Sequence, residues 1–237
     1  MSTEPVGLDR RHRRRQETIE EVLDHAVAIM AEEGVAGLSL GEIARRMGIR
    51  TPSLYVYFPS KHALYDALFA RGWRLLLETM TTYEEEHPAE GGDLAEIMLG
   101  HGSCFVRWSV ENLAYAQLLF WRPVPGFEPS EAAYEPAIEL YDRAQARLSE
   151  LQDRGLVRAD ADFADVQRDW TVLIAGVVSQ QLANAPHEAF AHGRFTSTLP
   201  RLSAMFADHY GAARPHRTAR NQSPRKQPPP EQPRRKA

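Results

Sequence analysis

The stretch from Ile43 to Leu64, IARRMGIRTPSLYVYFPSKHAL, places a glycine, a proline and two tyrosines inside an otherwise helix-forming run. Just before and within it, Ser39 and Glu42 have the spacing of a capping box, and Ile43, Ala44 and Met47 supply one apolar face. Gly48 suits the left-handed residue that closes a helix. Three residues later Thr51 offers an N-cap and Pro52 a first helical position, where a missing N–H costs nothing. The glycine and proline are therefore punctuation between two short helices, and two short helices joined by a tight glycine-containing turn make a helix-turn-helix. In the second of them, Leu54 and Phe58 lie four apart and face a core. Pro52, Ser53 and Val56 then fall on the outward arc, with Tyr55 and Tyr57 on its shoulders. Small groups stand where base edges would be, flanked by phenolic hydroxyls placed for phosphates. Pro59 stops this helix, Ser60 caps the next, and Lys61 is placed to reach a phosphate.

Outward from this unit the pattern stays helical. Residues 16–33 carry Ile19, Val22, Leu23, Ala26, Val27, Ile29 and Met30 at helical spacing and end at Gly34. From Lys61 to Gly211 no sustained strand alternation occurs, and helices are expected over 61–86, 93–110, 112–121, 130–153, 162–185 and 193–210. The breaks fall at His87-Pro88, Pro123 to Pro129 and Asn184 to Pro186. Beyond Pro215 almost nothing is apolar, which predicts a disordered basic tail over 212–237. The domain expectation is a basic arm (1–15), a helix-turn-helix domain (16–62), a helical ligand-binding and dimerisation domain (63–211) and the tail.

The 237 residues are 43% hydrophobic and 25% charged, enough to bury a core. Net charge is unevenly placed: 0 over residues 1–62, −11 over 63–211 and +7 over 212–237. An acidic body with a basic tail and a cluster of arginines at its front suits contact with a polyanion at the ends, although both ends could equally be solvated. Cys104 is the sole cysteine, beside Phe105 and Val106, which suits a buried hydrophobe in a reducing cytoplasm. The longest apolar run, around Val172 to Val178, is too short to span a bilayer, so a cytoplasmic protein with no membrane partner is expected.

Taken together, Gly34, Leu38-Ser39, Ile43-Ala44, Gly48-Ile49, Leu54-Tyr55, Tyr57-Phe58, Ser60-Lys61 and Leu64 resemble the TetR family of bacterial transcriptional regulators over about the first 65 residues. The resemblance implies an all-α chain in which a three-helix DNA-binding domain precedes a larger helical ligand-binding and dimerisation domain. It implies a repressor of double-stranded DNA, released by an unidentified small-molecule effector, with no cofactor. On it, Thr51, Pro52, Ser53 and Val56 take base-reading positions, and Ser39, Arg50, Tyr55, Tyr57 and Lys61 meet the backbone. Gly41 departs from the pattern, because relatives often carry a polar contact there. The last two helices look like those of actinobacterial members with a Trp-His-Gly-like C-terminal domain, with Ile174 in the place of the histidine.

Other features admit more than one reading. Arg10, Arg11, Arg13, Arg14 and Arg15 are either a solvated run or an arm entering the minor groove. Trp73, His101, Phe105, Trp108, Tyr115, Phe120 and Trp121, interleaved with Gly100, Gly102 and Ser103, either line a ligand pocket or pack helices closely. Trp170, Ile174, Val177, Val178, Leu199, Leu202 and Phe206 make the last helices apolar on more than one face, which predicts a homodimer and a palindromic operator. A rival reading as an all-helical enzyme would draw on Asp93, Glu96, His101 and Cys104, yet no metal-ligand spacing repeats and Cys104 has no adjacent base. His187 and His192 fall by a loop and read as solvated. An architectural DNA-binding protein without an effector would explain the tail but not the long helical domain.

Overall fold

The computed structural model describes residues 6–88 and 91–212. The tail expected over 212–237 lies outside them from residue 213 onward. Among the described residues nine α-helices follow in order: α1 (Val6–Glu33), α2 (Leu40–Arg46), α3 (Thr51–Leu54), α4 (Lys61–Glu86), α5 (Leu94–Glu111), α6 (Leu113–Trp121), α7 (Glu131–Asp153), α8 (Phe163–Asn184) and α9 (Leu199–Tyr210). Among the described residues the one β-type pairing is an isolated bridge between Val157 and Gly211. The all-α expectation and most predicted helix limits agree with this order.

Four local expectations need correction. Helix α1 runs from Val6, so residues 6–15, expected as a basic arm ahead of a first helix over 16–33, are turns of that same helix. Ser39 precedes α2 but its side chain makes no capping bond, and the Glu42 carboxylate, which would complete the box by accepting from the Ser39 amide, pairs with Arg45 and Arg46 instead. Helix α3 starts one residue early, with Arg50 at the N-cap and Thr51 already helical. The last helix starts at Leu199 rather than 193. Gln181 Oε1 accepts from the Phe195 and Thr196 amides and Nε2 donates to the Ala185 carbonyl, holding the preceding segment in short 3-10 turns.

Two expectations about helix ends hold. Gly48 adopts φ 66°, the left-handed geometry that turns the chain from α2 to α3. Ser60 Oγ accepts from the Ala63 amide at 3.0 Å and starts α4. A true capping box stands elsewhere: Asp93 and Glu96 cap α5 reciprocally.

Leu54 and Phe58 pack with Val22, Ile29, Ile43 and Leu64 in one buried cluster that continues along α4 through Leu68 and Leu76 to Trp108 and Tyr115. A second cluster joins α5, α7, α8 and α9 around Val106, Trp170, Val178 and Phe206. Helix α4 packs on α5, α6 and α7, and α5 on α8 and α9. Through α4, the short helices at the front are continuous with the body behind them.

Candidate nucleic-acid interface

Burying Leu54 and Phe58 leaves the opposite side of α3 and its following turn in solvent. Pro52, Ser53, Tyr55 and Val56 are exposed there, Val56 at 74%. Thr51 and Tyr57 are half-buried at the edges. The turn is held by the Tyr57 and Phe58 amides, both donating to the Leu54 carbonyl at 2.9 Å. An exposed valine and proline on a rigid turn present methyl and methylene groups, which suit contact with thymine methyls in a major groove.

The residues expected to meet phosphates surround this face. Ser39 and Arg50 are exposed. Lys61 is exposed, yet its Nζ donates to the Ala36 carbonyl at 3.2 Å and lies 5.5 Å from the centre of the Tyr65 ring. That leaves two of its three donors for an incoming oxygen. Arg15 stacks over the Tyr57 ring at 5.7 Å, so α1 reaches the same face. Tyr65, fully buried, donates its hydroxyl to the Val35 carbonyl at 2.7 Å, and burial pushes that phenol up to about 12. Arg46 bonds both Glu32 of α1 and Glu42 of α2, and hydrogen bonds from Arg45 and Arg46 hold the Glu42 carboxyl at about 2. These ties brace α1, α2 and α4 behind α3. The sequence pattern does not reveal the Arg46–Glu32 and Tyr65–Val35 ties, whose partners lie 14 and 30 residues apart.

The aromatic set expected to line a pocket does not surround one space. Trp73 meets Phe120 edge-on at 5.8 Å, Phe105 stacks on Phe120 at 5.6 Å, and Trp108 stacks on Tyr115 at 6.4 Å. These five are packed into the core, and Trp121 is exposed at the surface. The glycines reflect close packing as well: a Cβ on Gly102 would meet the Trp170 ring at 2.6 Å, and one on Gly100 would collide with Tyr83. His101 alone of the seven borders the narrow apolar recess between α5, α7 and α8, with Ile97, Met98, Leu148, Leu151 and Trp170. His101 Nε2 also lies 3.2 Å from Glu84 of α4, whose other oxygen accepts from Arg143 of α7 at 2.8 Å. Burial raises the Glu84 carboxyl, but the hydrogen bonds and charges of His101 and Arg143 outweigh it and hold the group below its usual range.

The residues expected at a dimer interface lie inside the protomer. Trp170, Ile174, Val177, Val178, Leu199 and Phe206 are buried within the protomer, and Leu202 is partly buried beside them. They face α5, so they are not free to meet a second copy. The outward stripe is instead Val172, Ala175, Gly176 and Ala183 on α8, with Pro200, Ala204 and Met205 on α9, all exposed. Asp93 and Glu96, weighed above as enzyme residues, cap α5, and burial raises the Cys104 thiol. His187 and His192 are exposed. Among the described residues no cluster of metal-ligating side chains occurs, and no helix is long and apolar enough to cross a membrane.

Residues 22–68 match the profile of the bacterial regulatory proteins of the tetR family, a span that contains α2, α3 and the start of α4. The tetracycline repressor protein class C of Escherichia coli is 28% identical over 187 residues, covering 78% of this chain and 76% of that protein. The regulator AcrR of Shigella flexneri is 29% identical over 172 residues, covering 71% and 78%. In fold, a solved protein of unknown function from Rhodococcus sp. RHA1 superposes with a TM-score of 0.68 at 18% identity, over 81% of this chain and 94% of that one. The exposed α3 face, the matched span and the all-helical body agree: residues 22–68 form a helix-turn-helix unit of the tetR-family type, and the chain as a whole is similar to that family's DNA-binding transcription regulators.

Proposed function

We propose that this chain represses transcription as a homodimer on a palindromic operator and leaves it when a small apolar ligand enters the body. The observation that carries the DNA-facing part is the sidedness of α3: Leu54 and Phe58 are buried while Pro52, Ser53, Tyr55 and Val56 stand in solvent. On this reading Thr51, Pro52, Ser53 and Val56 meet base edges, and Ser39, Arg50, Tyr55, Tyr57 and Lys61 hold the backbone. A second copy packs on the α8 and α9 stripe of Val172, Gly176, Ala183, Ala204 and Met205, where small residues let backbones approach.

For release, the recess between α5, α7 and α8 supports an apolar occupant better than the aromatic cluster does, since the cluster is already filled by its own rings. An occupant there pushes on His101 and through it on Glu84, near the end of α4 opposite Lys61. Tilting α4 moves α3 and alters the spacing between two recognition helices that must fit grooves about 34 Å apart. A ligand preferring the released dimer 100-fold per site contributes about 2.7 kcal/mol per site. The test is Val56→Glu, which adds a carboxylate to an exposed side chain without touching the core. Anisotropy with a duplex selected by the wild-type chain from a random library is expected to lose at least 100-fold in affinity, with unchanged helical circular dichroism. Undiminished binding would remove α3 from the DNA contact.

A further inference from the structure

Arg10, Arg11, Arg13, Arg14 and Arg15 stand on α1, which is unbroken from Val6 to Glu33, and all five are exposed. Basic N-terminal segments that read a minor groove do so as extended arms. A helix with side chains is about 10–12 Å across and the minor groove of B-DNA only about 6 Å wide, so these turns do not enter it. Two observations show where they lie instead. The Arg15 guanidinium stacks 5.7 Å over the ring of Tyr57, the residue after Val56, which pins this part of α1 beside the exposed face of α3. Arg11 lies one turn before Arg15 on the same side, about 6 Å further along the axis, with Arg10 and Arg14 in the adjoining row. Residues 10–17 are all exposed, so this side of α1 is open to solvent. The rest of the body, at −11 over residues 63–211, repels a polyanion, which makes this stripe a local source of attraction.

We propose that the N-terminal turns of α1 form a rigid basic rail that lies across the phosphate backbone of the DNA flanking the α3 contact. Arg15 anchors the rail on Tyr57, and Arg10, Arg11 and Arg14 donate to phosphate oxygens, adding affinity without reading sequence. The inference rests on the reading of α3 as the DNA-facing element.

The experiment uses the full chain and a duplex selected by it from a random library, made in two lengths: trimmed to the recovered motif, and with ten further base pairs on each side. The variant is Arg10→Gln/Arg11→Gln/Arg14→Gln, with Arg11→Gln alone as a milder second. On the long duplex the triple variant is expected to bind at least tenfold more weakly than wild type near 0.1 M salt. Its plot of log affinity against log salt should be shallower by about 0.9 for each phosphate that is no longer neutralised. Trimming the flanks brings wild type down to the level of the triple variant, which binds both lengths alike. Exchanging A·T for G·C in the flanks at constant length leaves wild type unchanged. Equal salt slopes for wild type and both variants on the long duplex would overturn the rail, and so would sensitivity to flank sequence, which means base reading. Val56→Glu separates the two readings. If that variant still binds, the α3 assignment itself fails; if it does not bind while the triple variant matches wild type, only the rail fails.

Discussion

Single atoms decide how firmly the DNA-facing unit is tied to the body. Tyr65 is fully buried on α4, and its hydroxyl reaches back to the Val35 carbonyl in the turn after α1. Removing only that oxygen in Tyr65→Phe leaves a carbonyl whose remaining donor is the Leu38 amide at 3.5 Å. The expected cost is about 1 kcal/mol, or about 2–4 °C in Tm for a chain of this size, read by thermal denaturation. An unchanged Tm would show that the bond contributes nothing net. At this scale the sequence was informative where local chemistry suffices: Gly48, Ser60, Leu54 and Phe58 take the roles that their spacing implies. It misled at Ser39, whose expected partner Glu42 is captured by two arginines on the same helix.

Between elements, the Glu84 carboxylate joins three helices, accepting from His101 of α5 and Arg143 of α7. Its side chain is 12% exposed, so solvent does not fully replace those bonds. In Glu84→Gln an amide group faces one of the two donors, and the expected loss at pH 7 is about 1–3 kcal/mol. The sign of the pH dependence follows from the lowered carboxyl: folding stabilises the ionised form, so the contribution is present above the ordinary carboxylate value of 4.5 and disappears as pH falls through the folded one. Denaturation of wild type and variant should therefore differ at pH 7 and converge as pH falls through the lowered carboxyl; a constant difference would contradict the ionic account. This junction was not legible from sequence because Glu84 lies 17 residues from His101 and 59 from Arg143, and no local pattern links them. The aromatic cluster shows the converse: spacing revealed many rings, but not that Phe120 fills the space beside Trp73.

For the molecule as a whole, the decisive surface is the outward stripe of α8 and α9. Val172 is 66% exposed and Met205 59%, and a Cβ on Gly176 would have no neighbour within 4 Å. The spacing of apolar residues indicated that more than one face was apolar, but only the packing on α5 shows that Trp170 and Ile174 turn inward and Val172 and Gly176 outward. Gly176→Arg adds a charge there while leaving the protomer core untouched. The wild-type chain is expected to sediment as a dimer at micromolar concentration and the variant as a monomer of equal helicity; a dimeric variant would place the interface elsewhere. In the proposed dimer, two-fold symmetry would carry this surface through to the DNA, since one dimer would present two copies of α3. The most direct measurement of that claim is selection of bound duplexes from a random library by the full chain, with the bound stoichiometry determined on the recovered sequence. Two inverted half-sites, centred about 10–10.5 base pairs apart or a multiple of that, held by two chains or an even number of them, are the predicted result. A pool with no shared motif, or a single half-site held by one chain, would contradict it.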